Sequence, residues 1–216
     1  MLEEMKTVVI DNGSGVCKAG ISGENVPSSI FPSIIARPKM KSRLPGWCFS
    51  TNQDIYVGDE ARSRAGVLIF NHPIEHGVVT DWEDMEKIWQ HIFDNALHVD
   101  PSEYSVLLTQ SIMNTEKNRE KTIQIMFETF NIASFYIANQ SVLSLYSSRR
   151  NTGIVVEVGD GVTEIVPIYE DAIISNAIMG INMGGQDIST WLEKNLNQSC
   201  CQFNTSAEKE IIRDIK

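Results

Sequence analysis

Two stretches of the chain share one pattern of apolar and polar positions. In the first, Val8, Val9 and Ile10 form a short β-branched run, as a buried strand would, and Asp11-Asn12-Gly13-Ser14-Gly15 follows as a tight turn. Val16, Cys17 and Ala19 then resume an extended pattern, which predicts a β-hairpin with a Gly-Ser-Gly tip. In the second, Gly153 to Ile168 again reads strand, acid, G-x-G turn, strand, and Ile10–Val16 aligns with Val156–Val162 without a gap. Repetition at this spacing points to a duplicated domain. One Asn-Gly hairpin usually binds nothing. Two that face each other, each offering backbone N–H groups unshielded by a Cβ, could clamp an anion and its metal from both sides.

Between the hairpins the periodicity alternates. Ser29 to Ala36 is predicted as a strand, and Lys39 to Asn52, basic and broken by Pro45-Gly46, as an exposed mobile loop carrying Trp47 and Phe49. Those aromatics are either tucked back onto the surface or anchors for a partner. A short helical segment begins at Tyr56–Ala61 and runs to about Gly66, and Pro73 to Val79 is a turn and strand. Asp81 is expected to cap a helix over 82–97, with Asp84 in a capping-box variant. Its buried stripe is Met85, Ile88, Trp89, Ile92, Phe93 and Ala96. Tyr104 to Thr109 reads as a strand, and Asn114 as the cap of a helix over 116–130 with apolar side Ile123, Met126, Phe127 and Phe130. A strand at 134–138 and a helix at 140–146 precede a polar linker, Ser147 to Thr152. Beyond Ile168 come a strand near 172–179, a helix from Gly184-Gly185 through Leu196, and a helix over 207–216. Alternating strands and helices indicate an α/β fold with a mixed sheet. The second half repeats only the opening of the first, so a chain cut off in mid-domain is expected.

A net charge of −10 argues against nucleic-acid or anionic-membrane surfaces. No apolar run approaches the ~18 residues a spanning helix needs, and the acidic first residues contain no secretory signal. The 4 cysteines show no C-x-x-C spacing, as free thiols in a reducing compartment would. His72 and His76 flank Pro73, which argues against a zinc pair on one helical face.

The segments IDNGSGVCKAG, FPSIIARP, YVGDEA, PIEHGVVTDWEDMEKIW, NREKTIQIMFETFN, QSVLSLY, GDGVTEIVPIYE and EKEIIRDIK together closely resemble actin, in near-continuous register from about Thr7 to Lys216. The resemblance implies an actin-like ATPase fold, the duplicated ribonuclease H-like α/β architecture. It places a first domain at 1–147, with an inserted small subdomain at about 33–70, and the beginning of a second domain at 148–216. It also implies ATP or ADP with Mg2+ or Ca2+ between the halves, a cytoplasmic, cytoskeletal setting, and actin or actin-binding proteins as partners, with residues 39–52 reaching a filament neighbour. By the same resemblance Asp11 and Glu157 hold the metal through waters, and Gly13, Ser14, Gly15, Lys18, Gly159, Asp160, Gly161 and Val162 hold the phosphates. Gly185, Arg213 and Lys216 line the nucleoside side, and His76 matches a histidine that actins methylate. Gln140 positions a water near the terminal phosphate, and Glu164 takes the place of a catalytic histidine.

Three positions depart from the family pattern. Glu157 replaces an aspartate, Val158 a small hydroxyl residue and Glu164 a histidine that orients the attacking water. ATP hydrolysis is therefore expected to be weak or lost. A truncated, non-enzymatic interaction module, or a partial product, that keeps actin surfaces without an ATPase cycle is the alternative.

Overall fold

The computed structural model describes residues 6–39, 55–198, 203 and 205–216. Strands β1 (Thr7–Asn12), β2 (Val16–Ile21) and β3 (Ser29–Pro32) form an antiparallel meander. β4 (Ile35–Pro38), β5 (Tyr56–Val57), α1 (Gly58–Ser63) and β6 (Leu68–Asn71) make a separate small unit, its three strands ordered β5-β4-β6. β7 (Ile74–Glu75) and β8 (Val78–Val79) are a two-stranded ribbon leading into α2 (Trp82–His91). β9 (Ser105–Gln110), α3 (Glu116–Glu128), β10 (Ser134–Asn139) and α4 (Gln140–Ser147) complete the first half. β9 and β10 add parallel strands, so the large sheet runs β10-β9-β1-β2-β3 and is mixed, as the alternation predicts.

The second half opens on β11 (Gly153–Val158) and β12 (Thr163–Tyr169), an antiparallel pair like β1 and β2. β13 (Ala172–Ile173) and β14 (Met179–Ile181) both pair with β12, and α5 (Gly185–Gln198) and α6 (Ser206–Ile215) follow. Of the predicted loop at 39–52, residues 40–52 lie outside the described residues.

The main core forms where α2 packs on the large sheet. Met85, Ile88, Trp89, Ile92 and Phe93 are fully buried against Val8, Ile10, Val106 and Leu108. A buried side chain of this size is worth about 1.5–3 kcal/mol, so the stripe on α2 is the main fastening of this half. Cys17 sits in the same core, 1 % exposed, and burial followed by the neighbouring Asp11 pushes its thiol up and keeps it neutral.

Several expectations are corrected. The strand at 29–36 is two strands in different sheets. Pro32 offers no N–H, Ser33 donates its N–H to the Gly15 carbonyl (3.0 Å) and Ile34 turns back on Pro32 (2.8 Å), so the chain changes sheet at Ser33. The helix over 82–97 is α-helical only to His91, and a π turn, Ile92–Leu97, ends at His98 in the left-handed region. Asp81 caps α2, but Asp84 makes no capping box: its buried carboxylate is taken by Arg37, Asn71 and Lys87. Thr115, not Asn114, caps α3, accepting from Asn118 N (3.3 Å). The buried face of α3 is Thr122, Ile125 and Met126, rotated by one residue from the predicted one. Thr122 can face inward because its hydroxyl donates to the Asn118 carbonyl (2.9 Å). Ile123 and Phe127 are consequently exposed, whereas Met126 is fully buried as predicted and Phe130 reaches the core edge, against Trp89 and Phe93. The strand near 172–179 is broken by a 3-10 turn at Ser175–Ala177.

Candidate functional site

The register of the two hairpins fixes which side chains face each other. In the first, Asp11 lies opposite Lys18 across β1 and β2, and Lys18 Nζ donates to it at 3.2 Å. β9 lies on the other side of β1, and its register partner Thr109 donates to the same carboxylate at 2.5 Å. Gln140, first residue of α4, adds Nε2 at 3.0 Å. Asp11 is thus held by one cation and two neutral donors. The partly exposed ion pair is itself worth no more than about 1 kcal/mol.

The second hairpin repeats the backbone but not the charges. Glu157 lies opposite Glu164 across β11 and β12, so acid faces acid. Like charges directly opposite destabilise a strand pair, and here hydroxyls from the first half answer both. Ser141 Oγ (2.6 Å) and Ser144 Oγ (2.9 Å), both on α4, donate to the two oxygens of Glu157. Ser111 Oγ (2.5 Å) and the Met113 N–H (3.3 Å) donate to Glu164, which is 1 % exposed.

The tips meet. A Cβ on Gly15 would lie 2.6 Å from Asp160 Oδ2, and one on Gly161 would lie 2.5 Å from Ser14 Oγ, so only glycine allows this approach. The turn of the β7–β8 ribbon is wedged against both tips. Gly77 N donates to Ser14 Oγ (3.0 Å), and His76 Nδ1 donates to the Gly161 carbonyl (2.7 Å). Behind them α5 starts on the second tip, Gly185 N donating to Gly159 O (3.0 Å) and Gln186 N to Asp160 O (2.9 Å).

A cleft of about 1010 Å³ opens between these parts. Asp11, Gly13, Ser14, Gly15, Lys18, Gln140, Glu157, Gly159, Asp160, Gly161, Val162, Glu164, Arg213 and Lys216 all line it. Gly185 stands behind the lining, its carbonyl accepting from Lys216 Nζ (2.6 Å). Arg62 also lines the cleft and ties α1 to α6 through Glu210 (2.6 Å) and Asp214 (3.3 Å).

A duplicated pair of acid-bearing glycine turns closing on one cleft narrows the relationship, and the model of the actin family matches residues 2–215. The chain belongs to the actin family. Its mixed α/β architecture is the actin-like one.

The donor set fits a hydrated cation. Among the described residues no group of three or more His, Cys, Asp and Glu could ligate a metal directly. Asp11, part-exposed at the cleft wall, keeps carboxylate lone pairs that can accept from metal-bound water. Glycine tips beside Lys18 suit a phosphate. His72, whose imidazole pKa is lowered chiefly by burial and then by Arg213, stands near Arg213 and Asp160 of the cleft lining. No helix among the described residues is long and apolar enough to cross a membrane.

Thr109, Ser111, Ser141 and Ser144 are the site residues that pattern reading missed. Hydroxyls in short polar runs carry no periodic signal. The repeat itself held one clue, since aligning the hairpins sets Glu164 where Lys18 stands.

Proposed function

We propose that the cleft of this actin-family chain binds a nucleoside triphosphate, ATP in the family's manner, together with a hydrated divalent cation. The observation that carries the reading is the tip-to-tip closure of Ser14-Gly15 on Asp160-Gly161 beside Lys18. Ser14, Gly15 and Gly159 to Val162 would hold the phosphates, Lys18 would balance their charge, and Asp11 with Gln140 would hold the metal's water shell. When bound, the cation would neutralise charge developing on the transferred phosphoryl group. Arg213 and Lys216 would face the nucleoside.

Turnover by water is expected to be slow. Glu164 adds negative charge at the cleft wall and its carboxylate is engaged by Ser111 and Met113 rather than free to orient a water. Calorimetric titration with Mg-ATP tests the reading. A hundredfold excess over the dissociation constant should stabilise the chain by about 2.7 kcal/mol. Lys18→Ala should weaken binding about tenfold, roughly 1.4 kcal/mol for one charge-assisted contact. No stabilisation at millimolar Mg-ATP would overturn the reading in favour of an interaction module without a nucleotide.

A further inference from the structure

We propose that Ser111 is a phosphoryl acceptor in this cleft, with Glu164 as its general base, an inference that rests on the nucleotide-binding reading above. Ser111 lines the cleft yet is only 4 % exposed. Its hydroxyl donates to Glu164 Oε1 at 2.5 Å, while Glu164 is 1 % exposed and held by neutral donors. Met113 N fixes the pair, reaching Ser111 Oγ at 3.1 Å and Glu164 Oε1 at 3.3 Å. A nucleophile on a base that a third group orients is the arrangement that activates a weak nucleophile. One lone pair of Oγ remains for attack, since the oxygen donates once and accepts once.

The position of the pair suits the chemistry. Gly77 donates to Ser14 at the first tip, and a Cβ on Gly77 would lie 3.2 Å from Ser111 Cβ and 3.6 Å from Val162 Cγ2 at the second. A single residue therefore separates Ser111 from both phosphate-holding turns. The other acid of the hairpin, Glu157, divides its two oxygens between Ser141 and Ser144 on α4. Among the described residues, only at Glu164 does a buried carboxylate engage a single serine hydroxyl in the cleft wall.

In the step, Ser111 Oγ attacks the terminal phosphorus of a nucleoside triphosphate. The Oγ–P bond forms and the bond from phosphorus to the bridging oxygen breaks. That electron pair leaves with the nucleoside diphosphate, and the hydroxyl proton passes to Glu164 Oε1. The product is phosphoserine, so the event happens once per chain and gives no steady release of phosphate.

The test incubates the chain with Mg-ATP, weighs it intact and maps the modified peptide, while calorimetry on the same samples follows binding of Mg-ATP and Mg-ADP. One phosphoryl group per chain on Ser111 is the expected result. Ser111→Ala should lose the mark and Ser111→Thr should carry it, which keeps the test readable if the alanine variant folds poorly. Glu164→Gln retains an oxygen acceptor for the hydroxyl but no base, and should slow labelling by about 100-fold or more. Binding without a mark, a mark on Ser144 or elsewhere, or full labelling of Glu164→Gln would each overturn the proposal alone. Failure to bind either nucleotide would overturn the cleft reading and this one with it.

Discussion

Replacing Asp84 by Asn should remove the strongest polar fastening between the small sheet and α2, with a pH signature that identifies it. The Asp84 side chain is fully buried and accepts from Arg37 Nη1 (2.8 Å) and Nη2, Asn71 Nδ2 (2.7 Å) and Lys87 Nζ (3.2 Å). Burial pushes the carboxyl up, but the hydrogen bonds from Arg37, Asn71 and Lys87 together outweigh it and leave the pKa at about 2, against an ordinary 3.8. A depressed folded-state pKa contributes stability above the unfolded value, lost as pH falls through the folded one. The difference corresponds to about 2 kcal/mol at neutral pH, with about half of that left at pH ~3. Urea unfolding of wild type and Asp84→Asn at pH 7, 5, 4 and 3 would measure it. The variant should be about 2 kcal/mol less stable at pH 7 and 5, and the gap should narrow toward pH 3. Arg37, 43 % exposed, can rehydrate, which holds the loss below the roughly 3–5 kcal/mol of a fully buried pair. A gap under about 0.5 kcal/mol at pH 7, or one that does not narrow on acidification, would refute the reasoning.

Other consequences are simpler to check. Ile88→Ala, at a fully buried position of the α2 stripe, should cost about 2–5 kcal/mol by chemical denaturation. Gly161→Ala would set a methyl 2.5 Å from Ser14 Oγ and 3.1 Å from His76 Cα, and should part the tips. A loss of Mg-ATP affinity of about tenfold or more by calorimetry, with circular dichroism unchanged, is the expected result.

The hairpins and the α2 stripe were legible because each rests on local periodicity with one strong partner surface. The break at Ser33 was not, because apolar residues flank Pro32-Ser33 on both sides and read as one strand, while the missing Pro32 N–H and the Gly15 carbonyl decide the path. The face of α3 was misjudged by one residue because a threonine whose hydroxyl is satisfied within its own helix can replace an aliphatic residue in the core. Asp84 read as a local cap because its true partner, Arg37, lies 47 residues away. The cleft was legible as a pair of turns through the internal repeat. Its polar wiring was not: Ser111 meets Glu164 across 53 residues and Ser141 meets Glu157 across 16, distances over which only the folded register decides who faces whom.

The unequal wiring of the repeat makes the two jaws of the cleft respond differently to their medium. The Asp11–Lys18 pair is partly solvated, with side chains 31 % and 49 % exposed, and mobile ions at physiological strength screen such a pair over about 8 Å. The glutamates opposite it are satisfied by hydroxyls and a backbone N–H, Glu164 out of contact with water. Added salt therefore weakens an attraction in one jaw, whereas in the other it acts on the repulsion between Glu157 and Glu164, so ionic strength works on the two halves of this duplicated cleft in opposite senses.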